Sequence, residues 1–408
     1  MNTRHALAFI FCTVTLDVLA LGVMIPVLPR IVLGFMDGDI AGAAEVFGLF
    51  ATVWGAMQFI SSPLLGALSD RYGRRPVILL SCLGLGLDYV FMALAPSLVL
   101  LFVGRVISGI TAATISTAFA YIADVTPPAG RAKAFGIVGI AFGLGFVLGP
   151  AIGGLLGGLD PRLPFWVSAA ACLANAAFGW FVLPESLPPE RRMAFSWKRA
   201  SPLGSLALLR SQTQLLGLAA ANFFGQVAHH VLPTVFVLYG AYRYGWGEEI
   251  VGFTLAGVGV CSAVVQGLLV GPAVARLGER WAMIVGLLFG AVGMAIYGLA
   301  PNGLWFWIGV PVMSLWGLAG PASQSLMSRL VGPSEQGQLQ GANTALMSIA
   351  GIVAPGLFAV TFAYFIEPIP GRPQLPGAPY LLAALLLVVA AVIAGRATAV
   401  RRPADPPR

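Results

Sequence analysis

The 408-residue sequence has little charge: Asp, Glu, Lys and Arg make up 10% of it, and histidine occurs three times. It has four cysteines, Cys12, Cys82, Cys172 and Cys261, each inside an apolar stretch. None has a CxxC partner or metal-ligand spacing, so they read as small buried hydrophobes and say nothing of redox compartment. GxSxG, HExxH and GxxxxGK[ST] are all missing. That argues against an enzyme and against ATP drive, and no metal or other cofactor is expected.

What the sequence has instead is apolar mass. It is 58% hydrophobic with a mean hydropathy of +0.88, against about 45–50% apolar residues in soluble domains. A bilayer span needs about 20 apolar residues. Breaking the apolar runs at charges and at Pro/Gly turns gives twelve spans, near 6–28, 44–68, 77–95, 98–122, 132–157, 163–183, 212–238, 248–270, 281–300, 303–328, 338–365 and 377–396. The first run is too long for a signal-peptide core of about 7–15 residues. It carries Asp17 at its middle and ends in "MIPVLPR", and so reads as a retained span. The longest polar stretch, "PESLPPERRMAFSWKRASP", divides the chain into a six-span half at 1–183, a linker at 184–211 and a second half at 212–400.

With the N-terminus inside, the inner segments hold eighteen Lys and Arg residues, the outer loops hold Arg30, Arg162, Arg243 and Arg372, and Arg105 lies within a span. This asymmetry predicts that both termini are cytoplasmic. It also accounts for the net charge of +7, so nucleic acid is not an expected partner.

A gapless shift of 205 residues superposes landmarks of the two halves: Gly66 on Gly271, Arg71 on Arg276, Gly73 on Gly278, Arg75 on Arg280, and Pro150 on Pro355. One register held across about 85 residues indicates a parallel internal duplication, as in one transporter architecture.

The densest charge lies in "GALSDRYGRRP", between spans two and three: Asp70, Arg71, Arg74 and Arg75. Gly66 and Gly73 permit close approach and a tight turn. Asp70 is placed to meet a helix N-terminus across the halves, and Arg74 to reach Asp124 at the inner end of span four. The alternative is an anchor that only fixes topology, for which the arginines suffice. In span five, Gly145, Gly149, Gly153 and Gly157 recur every four residues, with Pro150 and Gly154 among them. That stripe makes one face a groove for a neighbouring helix, and Pro150 is a kink site.

"GALSDRYGRRP" resembles the signature loop of the major facilitator superfamily, and "GPAVARLGERW" its degenerate repeat. "GLGFVLGPAIGG" and "GRVISGI" resemble motifs of its proton-coupled antiporter branch. "TLDVLALGVMIPVLP", "LGLDYVFMALA" and "SGITAATISTAFAYIADVT" are similar to segments of bacterial tetracycline/proton antiporters. The resemblance implies an all-α membrane protein of twelve helices in two six-helix halves. It implies a cytoplasmic latch built from Gly66, Asp70, Arg71, Gly73, Arg74, Arg75 and Asp124. It further implies that the span-five motif seals the two halves.

Of sixteen acids, only Asp17 and Asp88 fall deep within spans. A charge there costs about 2.5–3.5 kcal/mol even on the lenient insertion scale. Asp88 and Arg105 lie at similar depth, and helix rotation decides whether they meet. Either these groups exchange protons and contact substrate, with Arg105 tuning the acid, or they form a static packing pair. Asn222, Gln226, His229 and His230 in "NFFGQVAHHVLP" of span seven share a helix face, with at most one of the two histidines on it. With Gln324 they form a candidate substrate cavity, or else they bond neighbouring helices. The chain departs from the tetracycline branch at two places: that branch has a His where this chain reads Cys261-Ser262, and an Asp near Gly290. Carriage of a metal–tetracycline chelate, that branch's substrate, is therefore left open.

The expected function is proton-coupled export of small amphipathic molecules by a monomer in a bacterial inner membrane. Its expected partners are the substrate, protons and the bilayer. The alternatives are proton-coupled uptake of a metabolite on the same fold, and a non-transporting receptor or scaffold.

Overall fold

The computed structural model describes residues 3–111, 114–126, 131–192, 204–331, 336–368, 370–371 and 373–399. Among these the chain is helical and has no strand. The α-helices are α1 (Thr3–Met24), α2 (Leu28–Phe35), α3 (Ile40–Tyr72), α4 (Arg74–Leu94), α5 (Leu98–Thr111), α6 (Thr114–Val125), α7 (Arg131–Leu159) and α8 (Leu163–Val182). After the linker come α9 (Thr213–His229), α10 (Val231–Tyr244), α11 (Glu248–Val264), α12 (Val270–Leu299), α13 (Gly303–Ser314), α14 (Ala319–Ser328), α15 (Gln336–Ile366) and α16 (Ala378–Ala399). Lys198 and Arg199 of the linker, Arg372, and Arg401, Arg402 and Arg408 lie outside the described residues.

Nine helical stretches among the described residues are long and apolar enough to cross a bilayer. One, Glu248–Leu299, has 52 residues, about 78 Å of helix at 1.5 Å per residue and more than two hydrocarbon cores. It turns at Gly278, where φ is 74° and ψ 162°, and so supplies two spans. The shorter apolar helices Leu98–Thr111 and Gly143–Leu159 supply spans four and five. The described helices therefore accommodate all twelve spans, and the protein is a multi-pass membrane protein.

Prolines stand at several span interruptions, although Pro63, Pro311, Pro355 and the expected kink site Pro150 lie inside continuous helices. Pro26 and Pro29 interrupt span one, which turns after Met24 and continues as α2 to Phe35, beyond the expected end at 28. A proline lacks the N–H that the carbonyl four residues earlier would accept, and its ring clashes with that carbonyl. Pro233 stands four residues after His229, where α9 ends and α10 begins one residue later. Pro272 stands four after Leu268, inside a π-helical turn at Val265–Leu269. Pro321 stands four after Gly317, inside a 3-10 turn at Leu315–Leu318.

The chain forms two compact units. The first comprises Met1–Ser201 with Pro233–Gly259, and the second Pro202–Leu232 with Val260–Arg408. The first unit thus takes in most of α10 and of α11. Its core gathers Phe9, Ile10, Val14 and Val18 of α1 against Ile78 and Cys82 of α4, Tyr121 and Ile122 of α6, and Leu183. The second packs Tyr297 flat on Phe306, centroids 4.0 Å apart, with the Tyr380 ring edge-on to Tyr297 at 5.8 Å. Large apolar side chains such as Phe181, Trp180 and Leu159 face outward, as a lipid-facing surface allows.

The glycine stripe of span five has a definite neighbour. A Cβ on Gly145 would meet Val18, one on Gly149 would lie 2.8 Å from Cα of Gly22, and one on Gly153 would strike the carbonyl of Val23. One on Gly157 would meet Val27. The stripe therefore seats α1, while the contact of this motif with the second six-span half is made by Gly154 and the Pro150 carbonyl, against Gly252 of α11, and by Val147, which Gly259 meets. Replacing Gly153 by Val should drive α1 off α7, at about 1–3 kcal/mol for overpacking. The melting midpoint in detergent should fall by several degrees; an unchanged midpoint would mean that the contact contributes nothing.

Candidate functional site

At the turn between α3 and α4, Gly73 adopts φ 107°, a conformation glycine tolerates best. A side chain there would also run into the Glu185 carboxylate. The turn places Arg74 at the head of α4, with its side chain 12% exposed. Its Nη1 lies 2.6 Å from Asp70 Oδ1 and donates to Ser69 Oγ at 2.6 Å. Its Nε donates to Asp124 Oδ2 at 3.1 Å. Asp70 thus pairs with Arg74, four residues on. Arg71 lies over the Tyr72 ring. Arg75 donates to the Trp180 carbonyl and lies over its indole, so both turn away from the cluster. Among the described residues nothing crowds Gly66, and the expected close approach is not seen there.

Sequence reasoning missed the contribution of "PESL". Glu185 Oε1 accepts from the backbone N–H of Arg74 at 2.8 Å and of Ser186 and Leu187 at 3.0 Å each. Ser186 Oγ donates to Asp124 Oδ2 at 3.2 Å. The linker's first residues therefore tie the end of α8 to the turn. Their signal was weak, since a Pro-Glu-Ser run after a span also reads as an ordinary loop.

Within the membrane, α4 and α5 bring Asp88 and Arg105 together: Arg105 Nη2 lies 3.8 Å from Asp88 Oδ2, with the residues 2% and 6% exposed. Arg105 Nη2 also reaches Met92 Sδ at 3.2 Å. The absence of a side chain at Gly104 makes room, because a Cβ there would lie 2.7 Å from Met92 Cγ and 3.2 Å from Asp88 Oδ1. Asp17 of α1 is buried. Tyr89 lies within electrostatic reach of Asp17, Asp88 and Arg105 alike. The three charged groups singled out from the sequence therefore share one buried neighbourhood.

In the second unit, Ser323 Oγ donates to Asn222 Oδ1 at 2.7 Å, and Asn222 Nδ2 reaches Met327 Sδ at 3.2 Å. Asn343 Nδ2 donates to Gln324 Oε1 at 3.1 Å. His229 faces the Trp316 ring at 5.8 Å between centroids, and His230 lies against Gly351. Gln226 is half-buried on α9. Ser323, Asn343 and Trp316 were not anticipated. A shallow apolar groove of about 420 Å³ along α15, at Leu357, Val360 and Tyr364, holds none of these residues.

The second-half copy of the inner turn keeps its ion pair with the signs exchanged. Shifted by 205 residues, Arg74 becomes Glu279 and Asp124 becomes Arg329. Arg329 Nη2 lies 2.5 Å from Glu279 Oε1, which also accepts from Ser325 Oγ at 2.5 Å. Elsewhere in the first unit, Arg30 donates to the Trp246 carbonyl and lies 3.8 Å from Glu248.

Comparison with known proteins gives the same family for nearly the whole chain. The sequence model of the Major Facilitator Superfamily matches residues 7–355 and 267–408. The class C tetracycline resistance protein of Escherichia coli is 37% identical over 366 residues, covering 89% of this chain and 91% of its own. The class E protein of Escherichia coli is 35% identical, covering 95% of each. The crystal structure of a bacterial homolog of the human lysosomal transporter Spinster, inward-facing and unoccupied, superposes with a TM-score of 0.79 at 18% identity, covering 97% of each chain.

The two inner turns should respond differently to charge exchange. Glu279→Arg with Arg329→Glu should recover most of the transport lost in either single variant, because Glu279 has one basic partner. Arg74→Asp with Asp124→Arg should not, because Arg74 also serves Asp70 and Ser69. Vesicle transport, normalised to protein inserted, measures both; equal recovery of the two pairs would refute the difference.

Proposed function

The chain belongs to the Major Facilitator Superfamily, and on that premise we propose that it is a proton-coupled exporter of small amphipathic molecules working by alternating access. The observation that carries this reading is the buried neighbourhood of Asp17, Asp88 and Arg105. Ionisable groups at bilayer depth are costly and are characteristic of ion and substrate pathways. Asp17 is the leading proton carrier. Asp88 exchanges its Arg105 partner for a proton or a substrate group, and Arg105 tunes the acid. The relatives named as tetracycline resistance proteins support a drug as the cargo. The inner-turn cluster of Asp70, Arg74 and Asp124 acts as a latch on the cytoplasmic side. The lysine and arginine distribution supports two cytoplasmic termini in a bacterial inner membrane, and the protein works as a monomer.

The test uses a host stripped of its efflux pumps and a drug panel that includes tetracyclines, followed by inverted vesicles with an internal pH reporter. A transported drug should release the imposed proton gradient in wild type, and Asp17→Asn and Asp88→Asn should each lose most of that signal. If both variants match wild type, the coupling assignment is wrong; if no drug disturbs the gradient, so is export.

A further inference from the structure

The buried ion pair of the first unit is long, and a thioether stands where its hydrogen bond would be. Arg105 Nη2 lies 3.8 Å from Asp88 Oδ2, beyond hydrogen-bond range, whereas a charge-assisted pair in contact closes to about 2.7–2.9 Å. The same Nη2 donates to Met92 Sδ at 3.2 Å. The guanidinium therefore rests nearer to a neutral sulfur than to the carboxylate that attracts it. Arg105 Nε is buried with no hydrogen-bond partner among the described residues. The other polar groups beside the carboxylate are Ser108 of α5 and Tyr89 of α4.

The sulfur has a defined seat. Met92 follows Asp88 by four residues on α4, so the two side chains stand on one face, a turn apart. Gly104, next to Arg105 on α5, makes room for both. A Cβ there would lie 2.7 Å from Met92 Cγ, 3.3 Å from Met92 Sδ and 3.2 Å from Asp88 Oδ1. Met92 is 1% exposed, so the sulfur is enclosed by protein. A thioether is a weak, uncharged acceptor. It satisfies one N–H through a bond that is cheap to break, and the flexible methionine chain can follow its donor. A hydrocarbon in its place would leave that N–H unsatisfied, which costs free energy in a buried site, and the guanidinium would close on Asp88. A closed pair away from water is hard to part, because parting leaves two uncompensated charges.

We infer that Met92 is a positioning residue for the Asp88–Arg105 pair: its sulfur shares the guanidinium with the carboxylate and keeps the pair open enough to be exchanged. Met92 acts through Arg105. Its effect on transport rests on the export reading; its effect on the pair does not.

Two substitutions separate this role from packing. Met92→Leu keeps the apolar volume and removes the acceptor. Met92→Gln keeps the chain length and brings an amide oxygen close to the place of the sulfur. In inverted vesicles with tetracycline or ethidium as probe, Met92→Leu should lower kcat about three- to tenfold, the factor that one hydrogen bond's net contribution supplies, with KM nearly unchanged. Met92→Gln should keep most of kcat. A residue that only fills space gives the reverse order, since Leu for Met conserves volume and a buried amide is costly. The pair is also read without cargo, by a double-mutant cycle on the purified full-length protein. Asp88→Asn should lower the melting midpoint further in the Met92→Leu background than in wild type or in Met92→Gln, because in that background the carboxylate is the partner the guanidinium has left. Should Met92→Gln fail to fold, the Met92→Leu background against wild type still decides. Equal losses in these backgrounds overturn the inference, and so does a Met92→Leu variant that transports like wild type while Met92→Gln does not. A cycle that shows the difference, beside a wild type that moves protons with neither probe, upholds Met92 and overturns export.

Discussion

A carboxylate and a guanidinium cannot stand singly in hydrocarbon, and the first unit is arranged around that constraint. Asp88 and Arg105 neutralise each other at the α4–α5 contact, and the missing side chain of Gly104 lets the two helices come close enough for the pair to form. Asp17 enters the same neighbourhood because α1 is sunk into the glycine groove of α7. The groove seats α1, and with it its one acid. Packing and electrostatics are thus one problem here. A looser α1 would leave Asp17 where neither protein nor cavity compensates for the water it has lost.

In the second unit the organising element is the backbone. Among its described residues the carboxylates, Glu279 and Glu367, stand at helix ends, and its helices are interrupted where α9 ends at His229, at the π turn Val265–Leu269 and at the 3-10 turn Leu315–Leu318. The rings of His229 and Trp316 meet at two of these points. The division of labour follows: charge lies in the first unit, while neutral hydrogen bonding and aromatic surface lie in the second.

The two turns after α3 and at Gly278 show what a duplication preserves. The left-handed glycine, the arginine two residues after it and the ion pair to the end of the next span but one, at Asp124 or Arg329, all survive, although the pair has exchanged its signs. Coulomb attraction is indifferent to which partner carries which charge. The additional acid, Asp70, was kept in one copy only, and there the turn is tied to the linker through Glu185.

The sequence by itself determined the number of spans, their order, the duplication and the family. These depend on span length, on hydropathy and on short motifs, all of which are local along the chain. It also singled out Asp17, Asp88, Arg105, Arg74 and Asp124, because a charge at bilayer depth, or an acid one loop away from an arginine, is conspicuous in so apolar a chain. What it left open was rotation. Whether Asp88 meets Arg105, whether the glycine stripe faces α1 or another half, and whether Arg71 and Arg75 join Arg74 all turn on which way a helix faces. A helix of uniformly apolar composition carries almost no periodic signal to reveal that. Tertiary packing decided those questions, and only packing could bring Trp316 and His229 together from spans far apart in sequence.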